Sequence, residues 1–210
     1  MLPGPTRICE CSACKNHILR PSYVSWNTFG AKIWSDGRTT LPLGPEELSL
    51  IKCQHCQRLV WIDELAVVSQ KTWGLPISSE DEFSDAIPAS CPNFSDYMDF
   101  LDREVKAEQK VRYVRIHAWW ASNDKHRHLR KSISFSDDET DNLLALITLL
   151  DEDNENDRIM KAEALRELGG FSSAKKLLEK SFSDHLEQVS NFLLVLIEQK
   201  RKTVEEIELT

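Results

Sequence analysis

A chain of 210 residues with 41% apolar side chains has room for one large or two small domains and enough apolar surface to bury a core. Its formal net charge of -8, from 34 acidic against 26 basic side chains, opposes general affinity for nucleic acid or anionic membranes, because Lys and Arg drive phosphate binding. The longest apolar runs, Leu143 to Leu150 and Phe192 to Ile197, fall far short of the roughly 18–20 residues that cross a bilayer, so no membrane span is expected.

The chain starts with no basic region leading into an apolar stretch and a cleavage site, which makes the cytoplasm the expected compartment. In a reducing compartment, closely spaced cysteines serve as metal ligands more readily than as disulfides. Cys11-Ser-Ala-Cys14 and Cys53-Gln-His-Cys56 have the C-x2-C spacing that lets a tight turn aim two thiolates at one tetrahedral ion. Two such pairs make a closed site for one structural Zn2+, with no open position for a reacting water. Cys9, two residues before Cys11, is an alternative to it as ligand, while Cys91 has no partner nearby and is expected as a small apolar residue. His17 and His55 lie near the pairs and are expected outside the ligand set.

Between the pairs, residues 15–52 must form an inserted hairpin or subdomain. Short β-prone stretches, Ala31 to Trp34 and Leu59 to Ile62, flank turn signals, and Asp36-Gly37 after an alternating stretch marks a hairpin. This reading places Phe29 and Trp34 beside the cysteine pairs as the apolar plug of a small module. The segment also offers a possible ligand site, with Asn27, Thr28, Ser35 and Asp36 as polar contacts between Trp26 and Trp34.

This stretch of the first 65 or so residues resembles a group of uncharacterised bacterial zinc-ribbon proteins. An N-T-F-G-A segment (residues 27–31), W-S-D-G (residues 34–37), a Pro-containing stretch and a second C-x2-C pair followed by an aromatic-rich strand occur in the same order. The resemblance implies zinc binding and a ribbon-like N-terminus, and no particular activity.

Residues 74–94 mix Pro, Ser and acid without a helical period and read as a linker or an extended wrap. From Ser95, a plausible N-cap, the pattern turns helical, with Tyr97, Phe100, Leu101 and Val105 on one stripe. Residues 112–131 continue with Trp119 and Trp120, about 100° apart on a helix, so one is expected in the core and the other at a groove or against the zinc module. A third helix follows the acidic cap Asp137-Asp138-Glu139, with Leu143, Leu146, Ile147 and Leu150 as its stripe. The fourth runs from about Glu155 to Leu168 and stops at Gly169-Gly170, the fifth begins near Ser172, and the last spans about Asp184 to Lys202. Residues 160–179 resemble the turn region of one tetratricopeptide repeat; a solenoid needs about three copies, so a single helical hairpin within a compact domain is expected.

The fold class read from the chain is α+β. A β-rich four-cysteine zinc ribbon (residues 1–73) and a linker (74–94) precede a mostly α-helical domain (95–210) with one tetratricopeptide-like hairpin. Residues 101–131 carry nine Lys or Arg against four Asp or Glu, whereas 132–170 carry three against eleven. The basic stretch, ending Lys125-His-Arg-His-Leu-Arg-Lys131, makes nucleic-acid binding the rival to the leading expectation, a non-enzymatic scaffold or adaptor with a protein partner. His117, Asn123, Asp124 and Arg127 could form a catalytic cluster, with the histidine as base and the arginine binding an anion. Without a nucleophile motif, a phosphate loop or H-E-x-x-H, no catalytic residue is assigned.

Overall fold

The computed structural model describes residues 2–45, 48–72, 82–104, 107–127 and 134–208. In chain order the strands are β1 (Leu2–Pro3), β2 (Thr6–Glu10), β3 (His17–Arg20), β4 (Tyr23–Ser25), β5 (Lys32–Trp34), β6 (Thr39–Thr40), β7 (Leu50–Lys52), β8 (Leu59–Trp61), β9 (Ala66–Lys71), β10 (Ile87–Pro88) and β11 (Glu206–Ile207). The helices are α1 (Phe94–Glu104), α2 (Glu108–Arg127), α3 (Asp137–Leu149), α4 (Glu155–Glu167), α5 (Phe171–Leu178) and α6 (Asp184–Glu198). The class is α+β: a β-rich N-terminal region carrying a four-cysteine cluster, then a domain with six helices among the described residues. No helix among them is long and apolar enough to cross a membrane.

The chain divides into two compact units. One comprises residues 1–31 and 41–96, the other residues 32–40 and 97–210.

In the first unit β2 is central, antiparallel to β3 on one side and to β9 on the other, with β10 added parallel to β3. Its register with β9 shifts between Ile8 and Cys9, and both of these consecutive residues are fully buried, as a bulge permits. β7 and β8 form a separate hairpin, and β1 pairs with β4. Cys9, Cys11, Ile18, Ile51, Cys53, Val60 and Leu65 make the core, so the ligand-type residues are themselves part of the apolar interior. Of the expected linker, residues 74–81 lie outside the described residues. Its later part follows the sheet: β10 pairs with β3, and Lys52 exchanges backbone hydrogen bonds with Ser90.

The start of α1 corrects the sequence reading by two residues. Asn93, not Ser95, is the cap: its Oδ1 accepts the Asp96 N–H at 3.0 Å, and Asp96 Oδ2 accepts the Asn93 N–H at 3.0 Å. The Ser95 hydroxyl only donates to the same Asn93 oxygen. This reciprocal pairing satisfies two donors that the first helical turn leaves open.

In the second unit, β5 and β6 form the hairpin expected at Asp36-Gly37, where Gly37 has φ +80°. A left-handed φ costs glycine nothing, which is why the turn closes there. β11, near the chain's end, pairs antiparallel with β5 through Glu206↔Trp34 and Ile207↔Ile33. Along α2, Val114, Ala118, Ser122 and His126 recur every four residues beside Trp119 and Asn123, and all are buried. Trp119 packs with Leu143, Leu146 and Leu150 of the third helical stripe and with Ala164. Ser136 caps α3 with a full capping box to Glu139, and Asn154 caps α4. Gly169, at φ +89°, ends α4, and α4, α5 and α6 share a second core around Ile159, Ala162, Leu177, Leu193 and Leu196.

Phe29 and Trp34 do not form the expected plug. Phe29 is 80% exposed, in a turn whose Asn27 Oδ1 accepts the Phe29 N–H, while Trp34 is buried in the second unit beneath the Arg127 guanidinium, 4.9 Å from the ring centre. The cation–ring contact and the pairing of β5 with β6 and β11 hold Trp34 there.

Candidate metal centre and a buried ion network

Each C-x2-C pair sits at the tip of an antiparallel hairpin, the first on β2–β3 and the second on β7–β8. The two tips share one hydrogen-bond pattern. Lys15 N–H donates to the Cys11 carbonyl at 3.0 Å and Cys11 N–H to the Asn16 carbonyl at 2.9 Å; Gln57 N–H donates to the Cys53 carbonyl at 2.8 Å and Cys53 N–H to the Arg58 carbonyl at 3.0 Å. The residue after each second cysteine turns left-handed, Lys15 at φ 67° and Gln57 at φ 61°. That is a strained choice for a residue with a Cβ, held in place by the closed turn.

The result is a cluster in which the sulfurs of Cys11, Cys14, Cys53 and Cys56 all lie within 4.8 Å of one another. Across the tips, Cys11 Sγ is 4.0 Å from Cys56 Sγ and Cys14 Sγ is 3.8 Å from Cys53 Sγ. An ion held by four thiolates at about 2.3 Å sets the sulfurs about 3.8 Å apart, so the donor set fits a tetrahedral ion such as Zn2+. Cys11 and Cys53 are buried, whereas Cys14 and Cys56 are half-buried. Burial pushes the Cys53 thiol up to about 12 and also raises Cys14. Burial works the same way on Cys11, but the Cys14 and Ala13 backbone N–H groups, together with the neighbouring Cys53 and Cys14 sulfurs, outweigh it and hold its thiol below the ordinary value. A bound cation reverses such penalties, because it is the thiolate that binds metal.

Cys9 packs fully buried in the same core but does not belong to the sulfur cluster, and Cys91 is exposed and outside it. Neither nearby histidine is in the cluster. His55 Nε2 lies 3.2 Å from the His17 carbonyl oxygen, tying the second tip to β3, and His17 Nδ1 lies 2.8 Å from Asp85 Oδ1. The His17 partner holds the Asp85 carboxyl below its usual range. Next to Cys53, the Lys52 ammonium pairs with Asp96 at 2.8 Å in the first turn of α1, a link invisible in the spacing of the cysteines.

The second unit holds a different constellation. Asp36, fully buried, accepts from Arg127 Nη2 at 2.6 Å and Nη1 at 3.2 Å, from Asn123 Nδ2 at 2.9 Å, and from the Arg38 backbone N–H at 3.2 Å. Arg127 also reaches Asp124 at 2.9 Å, and the Arg38 guanidinium pairs with Asp124. Trp120 Nε1 donates to the Asp36 carbonyl, and Trp119 Nε1 donates to Glu167 at 2.7 Å. Glu167 accepts from Asn123 as well, which joins Asp36 to α4. Arg166, with no exposed surface, pairs with Glu163 at 2.6 Å and donates to the carbonyls of Arg201 and Thr203. Burial, reinforced by the Glu163 charge, holds the Glu167 carboxyl well above its usual range.

Of the residues weighed as a catalytic cluster, Asn123, Asp124 and Arg127 come together with Asp36. Their polar atoms bond to one another, an arrangement that specifies packing. His117 is not among them. It stacks on Tyr113 at 4.0 Å and lies edge-on to Trp120, and burial followed by the Arg38 charge lowers its pKa to about 4. Of the possible ligand contacts, Asn27 and Thr28 are exposed in the first unit, whereas Ser35 and Asp36 are buried in the second. Glu163, Arg166 and Glu167 escaped the sequence reading. A Glu-x-x-Arg-Glu run reads as a solvated face unless its interleaving with Ala162, Ala164 and Ile159 is taken as a sign of inward direction, and its carbonyl partners lie some 35 residues away.

Comparison with family models, curated proteins and solved structures finds no match for this chain in any of the three.

Proposed function

We propose that Cys11, Cys14, Cys53 and Cys56 bind one zinc ion in a structural role, and that the chain acts as a non-enzymatic scaffold or adaptor through contacts with another protein in the cytoplasm. The observation that carries the reading is the sulfur cluster, with two equivalent hairpin tips facing each other at tetrahedral spacing. Bound there, zinc supplies a cross-link between two hairpins; four thiolates complete its coordination, leaving no position for substrate or water. A reducing compartment keeps such thiols available for metal. Six of the buried polar groups, Asp36, Asn123, Arg127, Glu163, Arg166 and Glu167, are occupied with one another, which favours a packing role for them over catalysis.

The nucleic-acid reading loses support from the same bookkeeping. Arg112 is spent on Asp157, Lys125 on Glu139, and Arg127 on Asp36, so much of the described basic stretch is neutralised internally; residues 128–131 lie outside the described residues. Metal analysis of the full chain purified under reducing conditions tests the zinc reading: one zinc per chain is expected, lost on Cys→Ser exchange at any of the four positions. Purification from the native source, in parallel with and without nuclease treatment, tests the scaffold reading. A protein partner in stoichiometric yield supports it, and retention of nucleic acid with a steep salt slope overturns it.

A further inference from the structure

The first unit is built from two stretches of chain, and the hairpin segment between them, Lys32–Thr40, belongs to the second unit. The two cysteine pairs lie on either side of that excursion. Its flanks meet in the first unit: the Trp26 ring lies beside Gly44, and Gly30 lies beside the Pro42 ring. Its tip is received in the second unit by Asn123, Arg127 and Asp124, by the Trp120 Nε1–H, and by Glu205, whose backbone exchanges hydrogen bonds with Ser35.

β5 has three residues and β6 two, far too few for a hairpin that holds itself together in water. Its order comes from the flanks that fix its ends, from the pairing of β5 with β11, and from the network that takes its tip. An ion on the four thiolates ties the stretch before the excursion to the stretch after it. That tie removes freedom from the intervening loop and lowers the entropy lost when the tip is seated.

We propose that metal occupancy of the cysteine cluster and seating of the β5–β6 hairpin in the ion network are thermodynamically linked, so that the hairpin reports the state of the metal site to the helical unit. This rests on the zinc reading above. The linkage is reciprocal: what the ion contributes to seating, seating returns as retention of the ion. Asp36 is the positioning residue, because its carboxylate joins Arg127 and Asn123 at the tip.

The test uses the zinc-loaded full chain in two measurements. In the first, zinc release to an excess of chelator is timed for the wild type, for Asp36→Asn, and for Leu193→Ala, which removes a fully buried side chain from the core of α4–α6, a cluster that includes none of the residues receiving the hairpin tip. The expected result is release roughly tenfold faster from Asp36→Asn and an unchanged rate from Leu193→Ala, within the usual range of coupling between sites. The second measurement needs no variant: hydrogen exchange of the Trp34 and Ser35 amides, bonded to the Arg38 and Glu205 carbonyls, is compared in loaded and zinc-stripped wild type. Their protection is expected to fall roughly tenfold on stripping while the amides of α4–α6 keep theirs. Equal release rates and unchanged protection at full zinc stoichiometry overturn the linkage and leave the zinc reading standing. Loss of protection in α4–α6 as well overturns it in favour of simple global unfolding. A wild-type chain that carries no zinc removes the underlying reading and the linkage together.

Discussion

Replacing Asp36 by Ala removes the buried one of the two anions that face a nearly inaccessible guanidinium. The Arg127 side chain is 2% exposed and the Asp36 side chain 0%, and the pair is joined by two hydrogen bonds at 2.6 and 3.2 Å. Breaking a buried pair by deleting one partner costs about 3–5 kcal/mol, mostly because the other charge stays buried without compensation. Arg127 keeps Asp124, at 2.9 Å and half in solvent, so the lower end, about 3 kcal/mol, is expected. Arg127→Met leaves the converse orphan, an Asp36 carboxylate still held by Asn123 and the Arg38 N–H, and costs a similar amount, about 3 kcal/mol. It also gives up the contact over Trp34. Removing both charges together removes the uncompensated ion in either state, so the double variant should cost about 2 kcal/mol or less, far below the additive figure of about 6. Urea unfolding of the zinc-loaded full chain, followed by far-ultraviolet circular dichroism to report the helical unit, measures all three. Single variants costing under about 1 kcal/mol, or a double variant equal to their sum, would refute the view that this network is a coupled buried unit.

Arg166→Met should destabilise the helical unit by about 3–5 kcal/mol, since it strips Glu163 of its partner and the Arg201 and Thr203 carbonyls of their donors; amide exchange near Ser35 and Glu205 should rise with it. His117 carries a pH signature: its pKa is about 4 in the folded chain against 6.5, so between those values the unfolded chain binds the extra proton and stability falls as pH falls, by on the order of 3 kcal/mol across the window. The raised Glu167 tilts the other way in both proteins, so the slope difference between wild type and His117→Gln isolates the histidine, and equal slopes in urea titrations would contradict its burial as a neutral ring. Cys9→Ser should keep zinc at one per chain yet lower the melting temperature of the first unit, because a hydroxyl replaces a fully buried thiol at roughly 1–3 kcal/mol; loss of the metal would make Cys9 a ligand. Lys15→Gly and Gln57→Gly should each be neutral or slow zinc release, since glycine takes the left-handed turn without strain, and faster release to a chelator would show that those side chains hold the tips.

The local structure was largely legible because it obeys short-range rules. The C-x2-C spacing dictates a tight turn, and both tips form it. Asp36-Gly37 marks the hairpin because the turn needs a left-handed residue, and the acidic run before Leu143 and the Gly169-Gly170 stop mark helix ends whose open backbone groups must be met nearby. The one-cap error at α1 is of the same kind: Asn93 and Ser95 are both competent caps, and the choice fell to the residue whose N3 partner, Asp96, could answer it. What spacing does not carry is which unit a segment joins. The W-S-D-G hairpin lies between the two cysteine pairs in the chain, yet it belongs to the helices, because its carboxylate finds Arg127 and Asn123 there and its strand finds β11 from the far end of the chain. Glu163, Arg166 and Glu167 read as surface for the same reason: a buried charge is tolerable only beside partners, and those partners come from residues distant in sequence. The amino-acid sequence by itself determined the two cysteine turns and the helix boundaries, where each requirement is met within a few residues. Only the tertiary structure decided where the hairpin is seated and which charges are inside, since burial of an ion is settled by groups that meet through folding alone.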